Sequence, residues 1–234
     1  MIDNIKNEEK KFFEYNFDAV NPMVLTEKIK DIFVERNLAD AGIDKISLIH
    51  HNLLNTVVPN EFFEEENALS LLDKNIKVLP NDVVEYDEIT DYKAVNIYVP
   101  FVQLKDFLSN QAAEFTSQHS LTAFLNKISK AKNNQAKLPL FEIYVNIFPK
   151  EFQIAVFKNE QLQLVNQFTY DTVDEFLYFL FFVWETLEIN DENMHLYLAG
   201  IDSDNEIVKN IADFTENYSL LPAFAPAKMN NFVF

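Results

Sequence analysis

Residues 141–170, FEIYVNIFPKEFQIAVFKNEQLQLVNQFTY, decide how the chain is read. Phe141 to Phe148 is rich in β-branched and aromatic residues and stops at Pro149-Lys150. Phe152 to Phe157 repeats the pattern and stops at Lys158-Asn159-Glu160, after which Leu162 to Tyr170 runs on in the same style. Short strands joined by short turns predict an antiparallel meander. Asp171 then stands as an N-cap, with acid in the first turn of a helix reaching about Leu187. A strand over Met194 to Ala199 ends at Gly200. A helix from about Ser203 to Phe214 and a strand over Tyr218 to Phe224 complete the order βββαβαβ. A meander followed by βαβ crossovers gives a mixed sheet with helices packed on it, in the order of a ribonuclease H-like domain.

The sequence ahead of this block is less regular. Phe12 to Phe17 reads as a strand. Asn21-Pro22 opens a helix with Leu25, Ile29, Ile32 and Phe33 at helical spacing. Ile46 to Ile49 reads as a buried strand and Thr56 to Val58 as a short one, and Asn60 as the cap of a helix reaching Lys74. Val83 to Ile89 and Ala94 to Phe101 form a strand pair. Helices follow near Val102 to Asn110 and Ser120 to Ala131, with an extended Glu114 to Gln118 between them. Strands again alternate with helices, so the expected fold class is α/β and duplicated: two ribonuclease H-like halves, each a mixed sheet flanked by helices, around a cleft. Phe115 to Phe141 contains no acid but holds Lys127, Lys130, Lys132 and Lys137, and Ala131 to Lys137 is polar. The boundary is therefore placed there, giving halves 1–133 and 134–234.

Composition narrows the function. The chain has 234 residues, 48% hydrophobic and including 23 Phe, enough for a substantial core. Its formal net charge of -18 repels nucleic acid and anionic membrane surfaces. Cysteine is absent, which removes disulfides, thiolate nucleophiles and cysteine zinc sites and fits a cytoplasmic protein. The most apolar run, Phe176 to Trp184, is far shorter than the roughly 20 residues of a bilayer span. Only Gly42 and Gly200 are glycines, where average usage of about 7% would place about 16. Phosphate-cradling loops need closely spaced glycines, so a P-loop or dinucleotide fingerprint is excluded.

Candidate chemistry is sparse. His50, His51, His119 and His195 show no metal-ligand spacing, and neighbours His50 and His51 would face opposite sides of a strand. No metal or catalytic residue is assigned. Glu61, Glu64, Glu65 and Glu66 read as helix-start acids, as do Asp202 and Asp204. Asp82, Glu85, Asp87, Glu88 and Asp91 read as the solvent face of an edge hairpin. A nuclease of ribonuclease H order would carry a metal-binding Asp on the first strand of the second half, where this chain has Glu142 and Asn146. The helix over Asp174 to Glu188 is apolar nearly all round, which predicts burial on two sides.

The runs AVNIYVPF (94–101), FLYFL (176–180) and LYLAG (196–200), with His51-Asn52 through Val58-Pro59 to Phe62-Phe63, resemble an uncharacterised bacterial family. That family is described as having an actin-like ATPase fold, akin to pilus-assembly ATPase-like proteins, with no established function. The resemblance spans nearly the whole chain and implies two ribonuclease H-like halves around a cleft. It also implies a phosphate hairpin bearing an acid and a glycine, where this chain has Phe148-Pro149-Lys150-Glu151. Of the paired glycines of an adenosine loop only Gly200 remains, the one candidate cofactor-binding residue. Family members carry a strand hairpin ahead of the segment matching Phe12 to Phe17, while this chain opens in polar sequence. Without that hairpin the first half would expose a sheet edge and invite a homodimer. The expectation is a degenerate nucleotide fold without cofactor, acting through contacts with an unidentified protein partner. The alternative is a divergent ATP- or ADP-binding protein.

Overall fold

The structure is a computed structural model that describes residues 2–4, 10–15, 17, 21–38, 42–132 and 139–221. In chain order the strands and helices are β1 (Ile2–Asn4), β2 (Lys10–Phe12), α1 (Pro22–Glu35), β3 (Lys45–His50), β4 (Asn55–Pro59), α2 (Ala68–Asp73), β5 (Glu85–Ile89), β6 (Ala94–Tyr98), α3 (Val102–Ser109), β7 (Glu114–His119), α4 (Ser120–Lys132), β8 (Phe141–Ile147), β9 (Glu151–Lys158), β10 (Gln161–Thr169), α5 (Val173–Thr186), β11 (Met194–Ala199), α6 (Glu206–Ala212) and β12 (Tyr218–Leu220). The described residues fall into two compact units, one holding those up to Glu14 and from Phe124 on, the other those from Tyr15 to Ala123. The expected boundary between 133 and 134 lies outside the described residues.

The unit built on the C-terminal block has a five-stranded sheet in the order β10-β9-β8-β11-β12. β8, β9 and β10 form the antiparallel meander, while β11 runs parallel to both β8 and β12. β8 and β9 are buried along nearly their whole length instead of alternating, because this sheet is covered on both faces. One face carries Ile143, Val145, Ile147, Phe152, Ile154 and Val156 against Phe176, Leu180 and Val183 of α5 and Ile207 and Ile211 of α6. Phe176 lies 4.6 Å, centroid to centroid, from Phe152.

α5 departs from the sequence expectation in two ways. Its N-cap is Thr172, whose side chain accepts from Glu175 N, and not Asp171, whose carboxylate instead pairs with Lys150. Its outer face is also not buried: Tyr178 is 64% and Phe182 51% exposed. α6 is shorter than expected and is capped by Asn205. β12 ends at Leu220, and the expected continuation to Phe224 lies outside the described residues.

The other unit has two sheets, parallel β3-β7 and antiparallel β4-β6-β5. Asn21 caps α1 by accepting from Val24 N, and Leu25, Ile29, Ile32 and Phe33 are its buried residues, as the spacing predicts. Phe33 meets Phe107 of α3 edge-on at 5.2 Å. β6 is buried at every position between its two neighbours.

Two local expectations fail in this unit, and a third fails near the start of the chain. β3 is only half-buried, with Ile49 40% exposed, because a two-stranded parallel sheet leaves one edge and one face open. Asn60 opens a single 3-10 turn without a side-chain cap. A second 3-10 turn follows at Glu65–Asn67, held by a Glu64–Asn67 capping box, and only then does α2 begin. Glu64 therefore caps that turn, with Asn67 accepting from Glu64 N–H in return, and α2 itself starts after Asn67 without a side-chain cap. The strand expected over Phe12 to Phe17 ends at Phe12, and β2 pairs antiparallel with β1. A strand pair thus stands ahead of Phe13. Among the described residues no helix is long and apolar enough to cross a membrane.

Candidate functional site

Gly200 and the Phe148–Glu151 hairpin, the two places the sequence reading singles out, are both engaged in contacts within the fold. Gly200 has φ +89°, and a Cβ there would lie 2.2 Å from the carbonyl oxygen of Ile147. The glycine is required by the close approach of the chain leaving β11 to the end of β8. The hairpin between β8 and β9 is closed by Phe148 N–H donating to Glu151 O at 2.9 Å. The Tyr170 hydroxyl donates to Phe148 O at 2.5 Å, and Lys150 O accepts from Tyr170 N at 2.9 Å. Burial beside Glu151 pushes the Tyr170 phenol up to about 12, so it stays a donor. Lys150 points to Asp171 at 2.6 Å on the surface.

Glu142 and Asn146 of β8 are also spoken for. The Glu142 carboxylate, 1% exposed, takes Lys132 of α4 at 2.6 Å and the Tyr144 hydroxyl at 2.9 Å. The same ammonium sits 3.6 Å from the Phe157 ring centroid. Asn146 donates to Gln153 Oε1 at 3.1 Å. Each oxygen of this carboxylate thus has a partner of its own, the Lys132 ammonium on Oε1 and the Tyr144 hydroxyl on Oε2. Among the described residues no group of three or more His, Asp or Glu is placed to hold a metal.

The densest polar chemistry lies in the Tyr15–Ala123 unit. Parallel register sets His50 of β3 opposite His119 of β7, and His51 follows directly; all three are buried. The Phe101 N–H donates to His50 Nδ1 at 3.2 Å, so the ring proton is on Nε2 and points at Ser117 Oγ, 2.9 Å away. Leu121 N–H donates to His119 Nδ1 at 3.2 Å, and its Nε2–H donates to Asn52 O at 3.1 Å. His51 Nδ1 lies 2.7 Å from Ser120 Oγ. Asp87 faces inward from β5: its carboxylate accepts from His119 N–H at 2.7 Å and from the Tyr98 hydroxyl at 3.3 Å. Beside it, Asn96 donates to Thr122 Oγ1 at 3.0 Å, fully buried.

Burial sets the protonation states of this cluster. It lowers His50 to about 4, with Glu85 opposing, and lowers His119 to about 3, reinforced by the charge His51 would carry. It raises Asp87 against the hydrogen bonds of His119, Thr122 and Tyr98. The His50–Ser117 pair has the contact of a catalytic dyad but the wrong tautomer. A base must present a bare nitrogen to the hydroxyl, and here that nitrogen carries the proton. Both nitrogens of His50 and of His119 are used, which leaves neither as a metal ligand. What the cluster can do is tie β3, β5, β6, β7 and the start of α4 together.

The sequence expectation sets Asp87 on a solvent face and His50 and His51 on opposite sides of a strand, and both expectations are corrected here. Alternation along β5 puts Glu88 outward and Asp87 inward, and β3 ends at His50, so His51 is not bound by strand alternation. The equal position of His50 and His119 at the ends of β3 and β7 is a signal only once those strands are known to pair.

The chain belongs to the family described as Protein of unknown function (DUF3822), whose model matches residues 1–218. Among solved structures it is similar to a Bacteroides thetaiotaomicron protein with actin-like ATPase fold and unknown function, at 24% identity and TM-score 0.76, covering 94% of this chain and 82% of that one. It is also similar to a chain of a PilM-PilN type IV pilus biogenesis complex, at 13% identity and TM-score 0.55, covering 86% of this chain and 75% of that one. Both are likenesses of fold, and the first is of the actin-like ATPase fold. No curated protein matches the chain.

Proposed function

We propose that this protein is a non-catalytic member of the actin-like fold that acts through protein contacts. On this reading the chain is two ribonuclease H-like halves, 1–133 and 134–234, that keep the fold without its nucleotide loops. One observation carries it: the Phe148–Glu151 hairpin, where phosphate would be cradled, has no glycine, and Tyr170 holds it shut from within. Glu142, the acid nearest to it on β8, is neutralised by Lys132. The pilus structure to which the chain is similar is itself a complex, which supports a protein partner, and a second copy of the chain is the simplest one. The cysteine-free, acidic composition supports a cytoplasmic setting.

Titration calorimetry with ATP and Mg²⁺, followed by a phosphate-release assay, tests the reading. The expected result is no binding heat and no turnover. Tight binding with hydrolysis overturns it. Saturable binding of ATP or ADP without hydrolysis establishes instead the divergent nucleotide binder with Gly200 at its adenosine loop.

A further inference from the structure

The outer stripe of α5 is aromatic in its middle and acidic at its ends. Asp174, Tyr178, Phe182 and Glu185 recur at helical spacing, and all four are exposed. Tyr178 and Phe182 stack on one another at 6.3 Å across a helical turn. Phe181, beside them, meets the exposed Phe214 just past α6, 4.7 Å away, so the aromatic surface continues from one helix to the next. Large aromatic side chains left in water at neighbouring positions mark surfaces that bind.

This ridge lies in a strongly one-signed part of the chain. Residues 171–216, from the start of α5 past the end of α6, hold twelve of the 37 acids, all exposed, and one of the 19 basic residues, Lys209. Elsewhere the chain answers its own rings with its own cations: Lys132 lies over Phe157 at 3.6 Å and Lys28 over Phe17 at 5.1 Å. α5 has no lysine or arginine to do the same for Tyr178 and Phe182.

Resting on the reading that the chain works through protein contacts, we propose that this stripe docks a basic segment of another protein, with arginine or lysine interleaved among apolar side chains. Charge complementarity selects this occupant. Long basic stems cover Tyr178 and Phe182, while their charged heads lie over the rings and reach Asp174 and Glu185. A purely apolar segment would cover the same rings but strip water from the two carboxylates without giving them a partner. A like-charged surface, this face of a second copy included, would set acid against acid. From Asp174 to Glu185 the stripe is about 16 Å long at 1.5 Å per residue, the length of about three turns of a docked helix.

Fluorescence anisotropy with the whole chain tests this, at about 0.15 M salt, where exposed charges are screened beyond about 8 Å. The probe is a labelled synthetic helix of about five turns with leucine on one face and arginine beside it. The expected result is saturable binding, weakened at least about tenfold by Tyr178→Ser/Phe182→Ser, which leaves the net charge unchanged, and likewise by Asp174→Asn/Glu185→Gln. The same peptide with glutamate in place of arginine should not bind. Phe62→Ser/Leu69→Ser removes two exposed apolar side chains from the other unit and should bind as the wild type does. All the substituted positions are exposed, so circular dichroism should be unchanged. No binding by the wild type, full binding by the aromatic variant, equal loss in the control, or equal binding of the glutamate peptide each overturns the proposal. Full binding by the aromatic variant would reduce the contact to diffuse attraction by net charge. None of these outcomes bears on nucleotide binding or turnover, so the two readings fail separately.

Discussion

At the scale of single residues, the buried histidines make stability depend on pH. His50 and His119 titrate in the fold at about 4 and about 3, below the ordinary 6.5. Between 6.5 and those values the unfolded chain takes up protons that the folded chain refuses. Stability is thus fully present above 6.5 and is lost as pH falls, by up to ~1.4 kcal/mol per pH unit for each histidine. Asp87, raised by burial, acts oppositely: its ionisation disfavours the fold, and protonating it on acidification recovers some stability. Urea unfolding at pH 7, 6, 5 and 4.5 should show the histidine slope prevailing, and His119→Gln should flatten it by about one proton. A stability flat between pH 7 and 4.5 would contradict this account. The glycines separate in the same assay. Gly42 has φ +61° with open space around it, so Gly42→Ala should cost about 1 kcal/mol for the left-handed backbone alone. Gly200→Ala adds the clash with Ile147 O and should cost at least ~2 kcal/mol. Equal costs would mean that the β11–β8 approach is not what demands a glycine.

At the scale of elements, caps explain why neighbouring polar residues are not equivalent. Thr172 and Asp171 both precede α5, and both residue types are good caps. Only Thr172 reaches Glu175 N, because Asp171 is turned toward Lys150 and its own N–H is taken by Glu175 Oε2. Thr172→Ala should therefore cost ~1 kcal/mol in urea midpoint measurements, while Asp171→Ala leaves α5 capped; the reverse order would assign the cap to Asp171. The same selection operates at Asn60 and Asn67, where the side chain that meets an orphan N–H is set by where the turn closes. β8 to β10 were legible because strand period, turn residues and length agree there. β3 reads as buried because Ile46, Leu48 and Ile49 are apolar, yet apolarity does not say whether a partner covers them.

At the scale of the whole molecule, the question is whether the fold still holds nucleotide. A ligand at a hundred times its dissociation constant would stabilise the folded state by about 2.7 kcal/mol. Thermal unfolding with millimolar ATP or ADP should show no such shift, and a shift of that size would restore the nucleotide-binding reading. The mixed α/β class, the meander with its crossovers and the shortage of glycine are all legible along the chain, because they rest on local periodicity and on residue composition. That Gly200 serves the Ile147 contact, that Glu142 pairs with Lys132, that Asp87 looks inward to His119, and that α5 exposes Tyr178 and Phe182 emerges from the packed fold. Residues 32 or 53 positions apart, such as Asp87 and His119 or Ile147 and Gly200, carry no mark of their pairing until the chain has folded.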